Sequence, residues 1–351
     1  ARMSAMTMTP ISAPRAHLGR SIAARARPSS AVLNRRQLMV SAGGYDASTG
    51  EGPRYSPEQL AFLERRAAEG YGRGDNGASR APAATQAPVV ATPPPAGGPA
   101  HWCTVAPLSY GAIDQMTPKG LRAGADRGTP EDFTRPLLKG IAGTSGCGFW
   151  ACTEGAWPSS THKPITEWFI VLSGEGCLTD VDGTEHPFGP GDCVIIPKGW
   201  HGRWAVDAKI HKFWTTTDHP EVATTGPAAA WGATKSPLTA VVASVSSMAG
   251  KTSSPAPRPT STWGSPTTTS ATMYDIGHMS AGYWTCTPGG FPVTRKESGE
   301  AFYVLEGTFF LTNADGSARR CVAGDSVVLP KGWSGHWDVL ETVKKVWVDF
   351  A

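Results

Sequence analysis

"GDCVIIPKGWHGRW", residues 191–204, returns as "GDSVVLPKGWSGHW", residues 324–337. Each copy runs a Gly-Asp turn, four largely apolar residues, a Pro-Lys-Gly turn and two tryptophans. An apolar run this short, with turn residues at both ends, reads as a buried strand. Extended outward, residues 167–214 align with 300–347 at a constant offset of 133, and 21 of the 48 positions are identical. Upstream, "GFWACT" at 148–153 parallels "GYWTCT" at 282–287. A repeat of this length marks a duplicated domain, because solenoid units are shorter. Within each copy, "VDG" and "ADG" supply Asp-Gly hairpin turns. "EWFIVLSG", "EAFYVLEG", "KIHKFWTTT" and "TVKKVWVDF" supply further strands. Closely spaced turns without helical periodicity predict an antiparallel barrel or jelly roll, present twice.

The composition agrees: 40% hydrophobic and 17% charged residues, with 41 Gly and 30 Pro, suit many turns and short strands. No run approaches the roughly 20 apolar residues of a membrane helix. The net charge of +3 hides an asymmetry, because residues 1–41 carry seven arginines and no acid. Subtracting those seven charges leaves −4 for the remainder, which does not suit a nucleic-acid binder. The Arg-, Ser- and Ala-rich segment has the composition of an organelle transit peptide, with a disordered tail as the alternative. A plastid (chloroplast) is preferred to a mitochondrion, and the Arg35–Arg36 pair leaves a lumenal signal open. The seven cysteines form no CxxC pair, so neither a zinc ribbon nor a disulfide framework is indicated, and a reducing compartment fits.

Residues 42–100 read as a Pro/Ala-rich linker or arm with one short helix near 56–69. Ser56 suits its N-cap, Pro57 its first turn and Gly70 its end, while Leu60, Leu63 and Ala67 share one face. That face would dock on the chain's own barrel or on a partner. The expected domains are 101–218 and 237–351, joined by a connector at 219–236. "RGTPEDF" at 127–133 reads as a loop with solvated acids, and Cys152 and Cys286 as buried packing residues.

At this point the residues resemble the cupin superfamily, whose motifs are G(x)5HxH(x)3-4E(x)6G and G(x)5PxG(x)2H(x)3N. Glu167–Gly174 and Glu300–Gly307 match E(x)6G, while Gly191–Gly199 and Gly324–Gly332 match G(x)5PxG. The PKGW form and "YWTCTPGGF" are similar to the branch holding ureidoglycine aminohydrolases and ethanolamine-utilisation-type cupins. The resemblance implies an all-β fold of two tandem double-stranded β-helix barrels behind an N-terminal arm. In metal cupins the first motif gives two His and a Glu, and the second a His, which together bind Mn, Fe, Ni or Zn. Here the HxH positions fall on Ser160 and His162 in the first copy, and on Val293 and Arg295 in the second. The second-motif position is Gly202 in one and Gly335 in the other.

His201 could stand in for the missing ligand only if a bulge re-aimed it, since strand parity turns His201 and His336 outward. The same parity turns Trp200, Gly202 and Trp204 inward, and likewise Trp333, Gly335 and Trp337. Those six residues, with Glu167, Glu300 and Arg295, form the expected pocket or packed plug. Glu300 would pair with Arg295 or Lys296, and Glu167 with His162 or Lys163. The expected function is therefore a non-catalytic bicupin without cofactor, holding a small polar or aromatic ligand or serving as a scaffold. It would be an accessory subunit of a large organelle assembly, attached through residues 1–100. The alternative is a cupin enzyme of the ureide or sugar type, using one divalent metal in the first barrel on His162, Glu167 and His201.

Overall fold

The Asp-Gly turns close two equivalent hairpins. Thr166–Asp180 pairs with Glu185–Phe188 across residues 181–184, and Thr308–Asn313 pairs with Ala318–Val322 across residues 314–317. The computed structural model describes residues 102–140, 146–159, 162–220, 238–293 and 296–350. The Arg-rich segment, the arm helix with Leu60, Leu63 and Ala67, most of the connector, and Arg295 lie outside the described residues. Two cupin barrels account for almost all of the rest, with one short helix at Val245–Ala249. No helix among the described residues is long and apolar enough to cross a membrane.

The first barrel is built on a ten-stranded sheet whose two long central strands, Thr166–Asp180 and Gly202–Thr217, pair along their length. Register shifts between Val206 and Lys212 bend the ladder so that one sheet wraps around the interior. The second barrel divides the same path. Gly299–Glu306 and Val343–Phe350 lie in a seven-stranded sheet, while Thr308–Asn313 and Gly335–Val339 lie in a five-stranded one. The last glycine of the E(x)6G motif stands at the bend in both. Gly174 has φ +86° and Gly307 φ +96°. A Cβ on Gly174 would come within 2.2 Å of the Lys209 carbonyl oxygen, and one on Gly307 within 2.5 Å of that of Thr342. Only glycine combines that backbone with so close a crossing.

"RGTPEDF" is not a loop. Arg127–Gly128 and Glu131–Lys139 are strands, and Asp132 is buried and paired with Arg122. Thr129 and Pro130 make the short turn between the two strands, and Gly128, at φ +67°, ends the first of them.

The copies also exchange their first strands. Thr104–Ala106 pairs with Ser326–Leu329 of the second barrel, and Val241–Ser244 pairs with Asp192–Ile196 of the first. Residues 104–106, which sequence order assigns to the first barrel, thus complete the sheet of the second. Three hydrophobic clusters follow. Trp150, Phe169 and Trp204 help to fill the first barrel, and Phe302, Phe309 and Trp337 the second. The third lies between the barrels, where Phe149, Trp168 and Phe213 meet Tyr283, Val346 and Phe350 on the backs of the two large sheets.

Candidate functional site

Inside the first barrel Glu167 is buried near the start of its strand and holds two ammonium groups. Lys163 Nζ lies 2.5 Å from Oε2, and Lys212 Nζ 2.7 Å from Oε1. Lys212 comes from the middle of Gly202–Thr217, and its ammonium sits 4.0 Å from the Phe169 ring centre, 4.6 Å from Trp150 and 4.9 Å from Trp204. The second barrel repeats the arrangement. Lys296 Nζ lies 2.8 Å from Glu300 Oε2, Lys345 Nζ bonds Oε1, and Lys345 lies over Phe302, Trp284 and Trp337 at 4.0, 4.9 and 5.0 Å. A buried carboxylate needs such partners, and an ammonium stripped of water gains from aromatic faces.

The repeated PKGW turn positions one lysine of each pair. Lys163 N–H donates to the Trp200 carbonyl and Gly199 N–H donates to the Lys163 carbonyl, at 2.8 and 2.7 Å. Lys296 is clamped in the same way by Trp333 and Gly332, at 2.9 and 2.7 Å. The first tryptophan of the motif then folds over the glycine that replaces the family's histidine. A Cβ on Gly202 would lie 2.4 Å from the Trp200 ring and 2.3 Å from the Thr179 carbonyl; the Gly335 values are 2.3 Å for both Trp333 and Thr312. Any larger side chain there would have to displace the indole. Each indole is anchored at its far end, Trp200 Nε1 donating to Asp180 Oδ1 at 2.6 Å and Trp333 Nε1 to Asn313 Oδ1 at 2.9 Å.

The second tryptophan fills the interior. Trp204 stacks on Trp157 and Phe169, at 5.9 and 5.8 Å between centroids, and meets Trp150 edge-on. Trp337 stacks on Phe309 at 4.7 Å, on Phe302 at 5.7 Å and on Phe291 at 6.1 Å. Apart from Arg295, the expected pocket residues come together in each barrel as a packed plug around a Glu–Lys–Lys cluster.

The electrostatics follow from this packing. Burial alone would raise the Glu167 carboxyl, but Lys163 and Lys212 outweigh it and bring its pKa down to about 2. Burial lowers Lys212 to about 8 even though Glu167 opposes the shift. Glu300 is likewise held below the carboxylate range, its burial outweighed by Lys345 and Lys296. The second barrel adds Asp349, whose Oδ1 lies 3.3 Å from Lys296 Nζ. Burial, and then Glu300, raise Asp349 to about 6.

These residues do not fit a metal. Both oxygens of the glutamate in each barrel are taken by lysines, whose charge would repel a cation. His162 and His201 are exposed, with ring centres 5.3 Å apart, while Glu167 is buried. No register shift falls at Gly202 to turn His201 inward. Among the described residues no group of three or more His, Cys, Asp or Glu could hold a metal ion. His336 lies on the outer face and bonds Thr262 and Asp338.

Sequence reasoning placed Lys163 and Lys296 beside their glutamates but missed Lys212 and Lys345 as partners. Their signal was present: an identical lysine at the same register in both copies. Arg295, the other expected partner of Glu300, lies outside the described residues.

Two antiparallel barrels, each with E(x)6G and G(x)5PxG at equivalent turns, define a double-cupin protein. The EutQ-like cupin domain matches twice, over residues 140–214 and 275–347, so the chain carries two such domains. A protein of unknown function from Pseudomonas syringae shares the fold, with TM-score 0.51 and 16% identity over 71% of this chain and 99% of its own. Protein Ylba from E. coli gives TM-score 0.48 at 10% identity, over 71% and 90% of the two chains. An oxalate decarboxylase of Bacillus subtilis gives 0.41 at 12% identity, over 68% and 77%. No curated protein matches the chain.

Proposed function

We propose that the two barrels are a non-catalytic bicupin scaffold, serving as an accessory subunit of a large plastid assembly to which residues 1–100 attach it. One observation carries the barrel half of this reading: in both copies the glutamate at the family's ligand position is held by two lysines. An ion pair of this kind substitutes for the metal's positive charge and engages both oxygens of the carboxylate. The stacked rings around Trp204 and Trp337 occupy the space a substrate would need, which favours a scaffold over a small-ligand carrier. The arm half rests on the composition of residues 1–100. The barrel half is tested by elemental analysis of the purified full chain after incubation with Mn, Fe, Ni and Zn. Less than a tenth of an equivalent of each, unchanged in Glu167→Gln, is expected on the order of background binding. A stoichiometric metal lost in that variant would overturn the reading in favour of a metal enzyme in the first barrel.

A further inference from the structure

The outer face of the second barrel carries an arrangement that the scaffold reading does not use. Thr262, one residue before the strand Trp263–Gly264, points its Oγ1 at His336 Nε2, 2.8 Å away. His336 Nδ1 lies 3.1 Å from Asp338 Oδ2. Asp338 is fully buried, and its other oxygen accepts the Trp263 indole N–H at 2.7 Å. His336 and Asp338 alternate on one face of Gly335–Val339, opposite the inward Trp337. Thr262 is exposed, and His336 shows 17% of its side chain.

We propose that Thr262, His336 and Asp338 form an acyl-transfer site that takes activated esters of small carboxylic acids. The connectivity decides the roles. With Nδ1–H donated to the Asp338 carboxylate, the imidazole presents a bare Nε2 to the threonine hydroxyl, as a general base must. The Trp263 indole fixes the carboxylate from its other side, so the acid that orients the histidine is itself held. Thr262 Oγ1 attacks the ester carbonyl carbon while its proton passes to Nε2. The tetrahedral oxyanion collapses, the C–O bond to the alcohol breaks, and the alkoxide takes the proton from Nε2. Water, deprotonated by the same nitrogen, then attacks the acyl carbon; the bond to Thr262 Oγ1 breaks, the free acid leaves, and Oγ1 takes its proton back from Nε2. Thr262 N–H is spent on the Gly290 carbonyl at 2.7 Å and cannot serve the oxyanion. A missing oxyanion donor costs roughly a factor of 10² to 10³, which restricts turnover to esters with good leaving groups.

The first barrel shows what the same position looks like when it only has to hold together. Thr262 N–H bonds Gly290 O as Asp126 N–H bonds Ala156 O, so Thr262 and Asp126 are structural equivalents. His336 aligns with Arg203, and Asp126 and Arg203 form an exposed ion pair of 2.8 Å. Asp338 aligns with Ala205, so the buried carboxylate belongs to the second copy alone. Gly290 makes the room: a Cβ there would lie 2.2 Å from the Trp263 indole nitrogen and 2.8 Å from Thr262 Oγ1. This site is independent of the barrel interiors: its failure would leave the scaffold reading intact, and its success would confine that reading's non-catalytic part to the interiors.

The test uses the full chain with p-nitrophenyl acetate and a fluorophosphonate probe. Steady hydrolysis above the buffer rate is expected, falling about a hundredfold or to background in Thr262→Ala and in His336→Gln. Thr262→Ser keeps the hydroxyl and should keep the activity, which separates loss of the nucleophile from loss of fold. Peptide mass spectrometry should place the phosphonyl adduct on Thr262. An inert wild type, an adduct elsewhere, or hydrolysis unchanged in Thr262→Ala would each overturn the proposal.

Discussion

A buried carboxylate whose two oxygens are shared by two ammonium groups is costly to break and cheap to replace whole. Glu167→Gln leaves Lys212 buried and without its counter-ion, so we expect a loss of about 3–5 kcal/mol in urea unfolding. Adding Lys212→Met should recover a substantial part of that loss, because removing both partners spares the desolvation penalty. The pH dependence has a definite sign. The folded pKa of Glu167 lies below its ordinary 4.5, so the stability it contributes is present above that value and drains away as pH falls toward about 2. Asp349 behaves oppositely. Raised from 3.8 to about 6, it favours the folded state below 3.8 and loses that contribution as pH rises through about 6. Thr216 holds the aligned position in the first barrel. Asp349→Thr should therefore gain on the wild type progressively between pH 4 and 6, and by about 1 kcal/mol at pH 7 after allowing for solvent screening. A gain in thermal unfolding temperature that is flat across that range would contradict the assignment.

At the scale of strands and turns, what the sequence made legible was what repeats. The Gly-Asp and Pro-Lys-Gly turns, the E(x)6G glycine and the two tryptophans recur at one offset, and each proves to hold a backbone crossing or a ring in place. Lys212 and Lys345 recurred too. A lysine is ordinarily a solvated residue, and only the converging rings of Trp150, Phe169 and Trp204 reveal that the Lys212 ammonium is buried. Features that differ between the copies were not legible. Nothing in residues 167–214 versus 300–347 shows that one copy keeps continuous strands while the other divides them, because that choice depends on three-dimensional bending at the bulges between Val206 and Lys212. "RGTPEDF" failed for a related reason: Pro and Gly mark a turn, but not how short the turn is. The Thr262–His336–Asp338 set spans 77 residues of chain and has no local spacing to read. It becomes visible only when Gly289–Val293 brings the strand Trp263–Gly264 alongside Gly335–Val339.

The exchange of first strands gives the whole molecule a coupling that neither barrel would have alone. Thr104–Ala106 closes the edge of the second barrel's sheet, and the Cys103 N–H donates to Asn313 Oδ1, the same oxygen that anchors the Trp333 indole. Ala240 N–H donates to Asp180 Oδ1 in the first barrel, where that oxygen anchors Trp200. Each copy thus supplies the strand that steadies the other's central tryptophan. The chain that follows residues 1–100 therefore first pairs with the second barrel, through Thr104–Ala106. Two truncations separate attachment from folding. Removing residues 1–101 leaves the exchanged strand in place and should abolish association with the proposed organelle assembly while the barrels still unfold as before. Removing residues 1–107 also strips Cys103 and Ala106 from the core, takes away one of the two donors to Asn313 Oδ1 and leaves the edge of Ser326–Leu329 unpaired. The second truncation should unfold about 5–10 °C below the first. Hydrogen exchange should show the loss of protection spreading from Ser326–Leu329 to the Trp333 turn before it reaches Thr166–Asp180. Equal unfolding temperatures for the two truncations would show that the exchanged strand adds nothing to the second barrel, and association surviving the first would show that the arm is not the attachment.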